Sequence, residues 1–167
     1  MSGGSIQIRL ATVDDAARIA EIYNQGIEDR VATLETESRT VEERRAWLAA
    51  HDERHPVLVA VEGDEVCGWA SLNVFNARAA YQHVSEISVY VAREWRGRGV
   101  GFQLLEELDK HARRLGYHKL VLAGLVANEP AVKLYTRSGF QHVGVYHEQG
   151  MLDGRWVDVM LMEKLLA

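Results

Sequence analysis

Apolar and polar residues follow one another along this chain in patterns that switch between strand and helix. Residues 6–10 alternate in the way that a half-buried strand does. Apolar residues then recur at helical spacing over 16–27, behind Thr12, whose side chain is suited to cap a helix start. Thr40 precedes a second helical pattern in the same manner. The chain therefore begins with a predicted strand and two predicted helices.

The rest of the chain alternates between strands and helices. Strands are predicted over 57–61 and 66–72, around a hairpin turn, and over 85–91, after a polar loop over 76–82. There follow a helix over 99–115 ended by Gly116, a strand over 119–126, a short helix capped by Asn128, and strands over 140–146 and 157–163 around the Asp153-Gly154 turn. This order predicts an α/β (α+β) fold, a mixed central sheet with antiparallel and parallel strands flanked by helices. We expect one domain over 6–167, after a flexible leader over 1–5.

Composition narrows the function classes. The 167 residues suffice for one domain, and the net charge of −5 argues against nucleic-acid binding. The seven His residues are scattered, which gives a metal site little support. The single cysteine, Cys67, lies in an apolar run and is expected to be buried rather than nucleophilic, in a reducing cytoplasmic compartment. No run is long and apolar enough to cross a membrane, and the start lacks the pattern of a signal peptide.

The stretch from Glu86 to Gly101 carries the strongest functional signal. A strand pattern leads into a basic, glycine-rich turn, and an amphipathic helix follows at once. Glycines let the backbone approach a ligand closely, and a helix N-terminus directs free N–H groups at an anion. A tight turn with solvated arginines is the alternative interpretation. The residues predicted to bind a phosphate group are Arg96, Gly97, Arg98, Gly99, Val100 and Gly101.

Arg-x-x-Gly-x-Gly after a strand resembles the acetyl-CoA pyrophosphate loop of the GNAT superfamily of N-acetyltransferases. The segment 128–140 resembles the second half of the same cofactor site. The segments 34–40, 76–81, 86–91 and 154–158 are similar to the phosphinothricin N-acetyltransferase subfamily, which includes methionine sulfoximine acetyltransferases. The resemblance implies a GNAT fold, acetyl-CoA as co-substrate, a small-molecule amine acceptor and a homodimer.

Glu86 is the candidate general base. It shares a strand face with Ser88 and Tyr90, and family members carry a carboxylate here that is proposed to deprotonate the substrate ammonium. A surface glutamate on an edge strand is the alternative. The resemblance also implies that Tyr135 protonates the departing thiolate of CoA, although a tyrosine that only packs in the core remains possible.

The resemblance places the pantetheine arm along the backbone of Val89, Tyr90 and Val91, where an N–H group, that of Val89 in our interpretation, polarises the thioester carbonyl. Asn128 is predicted to contact the arm as well as to cap its helix.

A cation suits the carboxylate or phosphinate of an amino-acid-like acceptor, and Arg78 lies in the loop before the Glu86 strand. A solvent-facing arginine is the alternative. The predicted substrate-binding residues are Asn76, Ala77, Arg78, Tyr81, Glu86, Ile87 and Ser88. Thr33, Glu35 and Thr36 are weaker candidates for the opposite wall, and Trp69, Trp95 and Trp156 are assigned to core or rim packing.

The predicted reaction is direct acetyl transfer in a ternary complex, with phosphinothricin, methionine sulfoximine or methionine sulfone as the leading acceptors. Acetylation of protein N-termini or polyamines is one alternative. A non-catalytic acetyl-CoA-binding module is the other, but it would be expected to lose Glu86 and Tyr135.

Overall fold

A seven-stranded mixed sheet organises the chain in a computed structural model that describes residues 4–30 and 33–166. The strands are β1 Gln7–Leu10, β2 Val57–Glu62, β3 Glu65–Val74, β4 Val84–Val91, β5 Lys119–Leu125, β6 Gln141–Leu152 and β7 Arg155–Leu165. Their order across the sheet is β1-β2-β3-β4-β5-β7-β6, and only β4 and β5 run parallel to each other. The predicted mixed α/β fold is therefore confirmed. The predicted leader over 1–5 lies largely outside the described residues.

Four helices flank the sheet, and local capping groups set where they begin and end. The helices are α1 Ala16–Glu28, α2 Val41–Ala50, α3 Val100–Arg114 and α4 Glu129–Arg137. Thr40 Oγ accepts from the N–H of Glu43 at 3.1 Å at the start of α2. Asn128 Oδ1 accepts from the N–H of Ala131 at 3.2 Å at the start of α4. Gly116 follows α3 with a φ of +84°, the left-handed conformation of a glycine that ends a helix.

The sheet separates two apolar cores. On one face, α3 buries Leu104 and Leu108 completely against the central strands. On the other face, α1 and α2 pack with Ile19, Ile22 and Trp69. Each fully buried side chain of this size stabilises the fold by about 1.5–3 kcal/mol relative to exposure. Cys67 belongs to this interior, and burial raises the pKa of its thiol, so the predicted structural role is confirmed.

The parallel pair β4 and β5 separates halfway along its length. The two strands pair only from Val84 to Glu86 and from Lys119 to Val121. Beyond Glu86, β4 stays paired with β3 on its other edge, while β5 stays paired with β7. The facing edges of β4 and β5 are therefore unpaired with each other, and an opening forms in the middle of the sheet.

The last hairpin is longer than predicted. Its turn has positive φ at both Asp153 and Gly154, as an Asp-Gly hairpin turn requires. The strands continue past an irregularity where the N–H of Glu148 donates to Asp158 Oδ1 at 2.8 Å. Trp156 on this hairpin is 60% exposed, so it does not belong to the core.

Candidate active site

A cavity of about 900 Å³ occupies the opening between β4 and β5. The basic turn and the start of α3 form one end, and α4 forms a side wall. Residues of α1 and of the segment after it also line the cavity. The predicted site residues that line the cavity are Glu86, Ile87, Ser88, Val89, Tyr90, Val91, Arg96, Gly97, Gly99, Val100, Gly101, Asn128 and Tyr135.

The start of α3 presents unused backbone donors to this cavity. Gly99 caps the helix with a φ of +81°, and the N–H of Gln103 donates to its carbonyl oxygen at 3.1 Å. The preceding three N–H groups, from Val100 to Phe102, have no intrahelical acceptor for this reason. A Cβ atom at Gly97 or Gly99 would meet no protein atom within 4 Å, so the space beside the turn is open. The arrangement is suited to a phosphate group.

The arginines of the turn already have protein partners. Arg96 forms an ion pair with Asp29 at 2.7 Å, and Arg98 lies 4.9 Å over the Trp95 ring. Arg93 also donates to Asp29, and the hydrogen bonds from Arg93 and Arg96 lower the pKa of that carboxyl to about 2. The end of α1 therefore holds the turn in place, and the backbone N–H groups are left as its main anion donors.

The contact between α3 and α4 depends on Gly101. A Cβ atom there would lie 2.9 Å from Leu134 Cδ2, so the glycine lets α4 approach closely. This approach brings Lys133 and Arg137 to the cavity, with the Arg137 guanidinium 4.4 Å over the Phe102 ring. Sequence reasoning missed these two cations. Their spacing of one helical turn, just after a second predicted cofactor segment, could have indicated them.

The free edge of β4 offers a ladder of main-chain groups to the opening. The N–H of Ala92 donates to the carbonyl of Cys67 on β3 at 2.8 Å. Backbone groups alternate between the two edges of a strand, so those of Val89 and Val91 face away from β3 and into the opening. The main-chain groups of Tyr90 point the other way, towards β3, and its side chain stacks on Trp69 at 4.8 Å.

Glu86 and Tyr135 reach the cavity from opposite faces of the sheet. Glu86 shares the face of Ser88 and Tyr90, towards α1 and α2. Its side chain is exposed and lines the cavity, and partial desolvation raises the pKa of its carboxyl. Tyr135 packs edge-on against Phe140 on the other side, and burial raises its pKa to about 12. At neutral pH Tyr135 therefore keeps its proton, while Glu86 is a stronger base than a solvated carboxylate.

A model of the acetyltransferase (GNAT) family matches residues 19–140 of this chain. The chain belongs to this family. The glycine-rich turn, the facing strands β4 and β5, and α4 lie within the matched segment. The expectation drawn from the Arg-x-x-Gly-x-Gly turn is thereby confirmed at the level of the family.

Relatives and solved structures of this family cover nearly the whole chain. The L-methionine sulfoximine/L-methionine sulfone acetyltransferase of Pseudomonas aeruginosa is 34% identical, over 95% of this chain and 94% of the relative. The phosphinothricin acetyltransferase of Sinorhizobium meliloti in complex with acetyl-CoA has a TM-score of 0.89 and 30% identity, covering 97% of this chain and 89% of that one. The structure of ribosomal-protein-alanine N-acetyltransferase from Brucella melitensis has a TM-score of 0.91 and 35% identity, covering 95% of this chain and 99% of that one.

The GNAT cavity does not include the loop that carries Arg78. Asn76, Ala77, Arg78 and Tyr81 are exposed and are not among its lining residues. The N–H of Arg78 donates to Asn76 Oδ1 at 2.9 Å, and Tyr81 packs against Phe75. The substrate-binding roles of these four residues stay predictions.

The cavity is lined near Glu86 and Ser88 by residues of α1 and the segment after it instead, namely Ile22, Gly26, Thr33 and Leu34. Of the weaker candidates only Thr33 is among these residues; Glu35 pairs with Arg39. Sequence reasoning missed the contribution of α1, because nothing in its helical pattern distinguishes Ile22 and Gly26 from core positions.

Histidines do not gather around the cavity. His51 and His55 lie four residues apart, but His51 faces Asn73 and His55 pairs with Asp52. Within residues 4–30 and 33–166, no group of three or more metal-ligating side chains is placed to hold an ion. No helix in the same part of the chain is long and apolar enough to cross a membrane.

Proposed function

We propose that this GNAT acetyltransferase transfers the acetyl group of acetyl-CoA to the amino group of a small amino-acid-like acceptor. Phosphinothricin, methionine sulfoximine and methionine sulfone are the leading acceptors, and acetylation would detoxify such analogues. One observation carries the proposal: a single opening has an anion-binding turn at one end and a carboxylate and a phenol on its walls. The family match and the relatives that act on amino-acid analogues support it.

Acetyl-CoA would be held by main-chain groups. The N–H groups of the turn from Gly97 to Gly101 would bind the diphosphate, with Arg96 and Arg98 adding charge. The free edge of β4 would pair with the pantetheine arm as an added strand does. Asn128 lines the opposite lip and caps α4 through its side-chain oxygen, and it would contact the arm there.

Three groups of this chain would then act on the reacting atoms. Glu86 accepts a proton from the acceptor ammonium, directly or through water, and the freed amine attacks the thioester carbonyl. The N–H of Val89 would donate to the carbonyl oxygen as negative charge develops there. Tyr135 gives its proton to the CoA sulfur as the C–S bond breaks. Cys67 is buried away from the cavity, which favours direct transfer over an acyl-enzyme.

One other class of acceptor is favoured by a specific observation. A structure that is 35% identical carries the name of a ribosomal-protein-alanine acetyltransferase, so a protein N-terminus is the second candidate. A polyamine fits less well, because the acceptor end is lined by apolar and hydroxyl side chains with Glu86 as its carboxylate.

A thiol-release assay with acetyl-CoA tests the proposal. The panel contains methionine sulfoximine, methionine sulfone, phosphinothricin, a peptide with N-terminal alanine, and spermidine. We expect turnover of at least one amino-acid analogue with a higher kcat/KM than the peptide. Turnover of the peptide alone would transfer the assignment to protein N-termini, and no turnover with any amine would leave only a binding module.

A homodimer is proposed as the working form. The last hairpin forms the sheet edge and exposes apolar side chains, among them Tyr146 at 51%, Met151 at 51% and Trp156 at 60%. Patches of this kind on a sheet edge favour self-association. Sedimentation analysis should give twice the chain mass, and Trp156→Lys should shift it towards the monomer. The cytoplasmic location and the absence of nucleic-acid partners stay predictions that rest on Cys67 and the net charge.

A further inference from the structure

A chain of hydrogen bonds runs beneath the acceptor end of the cavity, from the end of α2 to β4. His51 Nδ1 lies 2.9 Å from the carbonyl oxygen of Trp47, and His51 Nε2 lies 3.2 Å from Asn73 Oδ1. Asn73 Nδ2 donates to Ser88 Oγ at 3.0 Å, and Ser71 Oγ donates to Asn73 Oδ1 at 2.9 Å. Ser88 in turn lines the cavity. The chain therefore connects an imidazole to a hydroxyl of the site.

Both ring nitrogens of His51 face oxygen atoms in this arrangement. Carbonyl and amide oxygens only accept hydrogen bonds, so with the Asn73 amide in this orientation both ring nitrogens donate and the ring is in its charged form. When His51 is neutral, the Trp47 carbonyl keeps the proton on Nδ1, and Nε2 becomes an acceptor. Asn73 satisfies that acceptor only by a half-turn of its amide, which brings its nitrogen to His51 and its oxygen to Ser88.

We propose that His51 and Asn73 are positioning residues that set the direction of the Ser88 hydroxyl in the acceptor site. With His51 charged, Asn73 donates to Ser88, and the hydroxyl proton of Ser88 is directed away from Asn73. With His51 neutral, Ser88 donates to Asn73 and presents its lone pairs to the cavity. An amine presents N–H donors, so the neutral form matches the acceptor. This last step rests on the proposed function, which places the amine beside Glu86.

The charged groups near this chain of hydrogen bonds belong to α2, to the segment after it and to β4. The Arg44 guanidinium lies 4.7 Å over the Trp47 ring, which packs 4.3 Å from the His51 ring. Asp52 pairs with His55 at 2.6 Å, and Glu86 is the cross-strand partner of Asn73. The ring nitrogens of His51 itself contact neutral groups, so a change in its charge passes on through Asn73.

Nuclear magnetic resonance of the ¹⁵N-labelled protein tests the switch without any acceptor. Long-range spectra report the charge and tautomer of His51, and the side-chain amide signals of Asn73 report its surroundings. Across a pH series from 5 to 8, we expect the Asn73 signals to change together with the charge of His51, and His51→Phe to abolish the change at Asn73. The matched control His55→Phe should leave it intact. Asn73 signals that do not follow His51, or a His51 that keeps one charge state throughout, would overturn the proposal.

The kinetic consequence is tested by kcat/KM for the acceptor across the same pH range. Relative to His51→Phe, the wild type should lose an additional three- to tenfold in kcat/KM as His51 becomes charged, the size expected of one hydrogen bond. In a Ser88→Ala background, His51→Phe should no longer change the profile. Parallel profiles for wild type and His51→Phe would contradict the link to Ser88. If no acceptor is turned over, the proposed function fails, while the magnetic resonance result still decides the switch.

Discussion

Glu86 is the residue on which the pH dependence of the reaction should rest. Burial raises the pKa of its carboxyl, so the carboxylate is a stronger base than a solvated one and is lost as the pH falls through that raised value. Glu86→Gln is expected to lower kcat by about 10²–10⁴-fold, the usual cost of losing a general base. The deficit should shrink at high pH, where the amine is already neutral.

Steady-state kinetics from pH 6 to 9 measure this effect, with Glu106→Gln on the exposed face of α3 as the matched control. The control should keep the wild-type profile. An unchanged kcat in Glu86→Gln across the range would make Glu86 a structural residue.

Tyr135, as the proposed general acid, must stay protonated until the C–S bond of the thioester breaks. With a pKa of about 12, the phenol is protonated throughout the physiological range. Tyr135→Phe keeps the ring against Phe140 and removes only the hydroxyl, so kcat should fall by about 10²–10⁴-fold with little change in stability. The defect should be smaller with an acetyl thioester of a more acidic thiol, which leaves without protonation. A defect of equal size for both thioesters would indicate that the hydroxyl does not act as the acid.

At the scale of elements, two glycines at the ends of α3 allow the effect of backbone strain to be distinguished from that of ligand binding. Gly99 and Gly116 have φ values of +81° and +84°, and a Cβ atom at either meets no protein atom within 4 Å. Gly99→Ala and Gly116→Ala should therefore cost similar stability, about 1–2 kcal/mol. Only Gly99→Ala should raise KM for acetyl-CoA, by tenfold or more, or about 1.4 kcal/mol.

Thermal unfolding and acetyl-CoA kinetics on both variants test this pair. An equal rise in KM for the two would mean that strain in α3 lowers binding from either end. An unchanged KM for acetyl-CoA in a folded Gly99→Ala variant would show that the diphosphate does not bind at this turn.

Local chemistry explains which elements could be predicted from the sequence. The starts of α2 and α4 were predictable because Thr40 and Asn128 cap them through neighbours three residues away. The separation of β4 from β5 was not, because it depends on which strands pair across the sheet. The ion pair of Arg96 with Asp29 joins residues 67 apart, and no local pattern contains it. The turn and β4 were predictable because their residues are contiguous in the sequence. The contribution of α1 to the cavity was not, because α1 is distant from them along the chain.

In the whole molecule, α1 contacts both the cavity and the turn before α3. Ile22 and Gly26 of this helix line the cavity, and Asp29 at its end pairs with both Arg93 and Arg96 beside the glycine-rich turn. This one helix therefore fixes the distance between that part of the cavity wall and the turn. This arrangement suits direct transfer, in which two substrates must be held in contact at once.

The loop that carries Arg78 is the part of the molecule whose role the cavity does not explain. If Arg78 holds the anionic group of the acceptor, Arg78→Ala should cost about 1.5–3 kcal/mol in kcat/KM for methionine sulfoximine, the range for a charged hydrogen bond. Arg78→Lys should restore part of it, and an amine without an anionic group should be almost unaffected. KM for acetyl-CoA should stay constant, because the anion-binding turn lies at the other end of the cavity. Since Arg78 is exposed and outside the lining, the effect requires the loop to approach the bound acceptor. Equal losses for anionic and neutral amines would instead show that Arg78 acts only through the order of its loop.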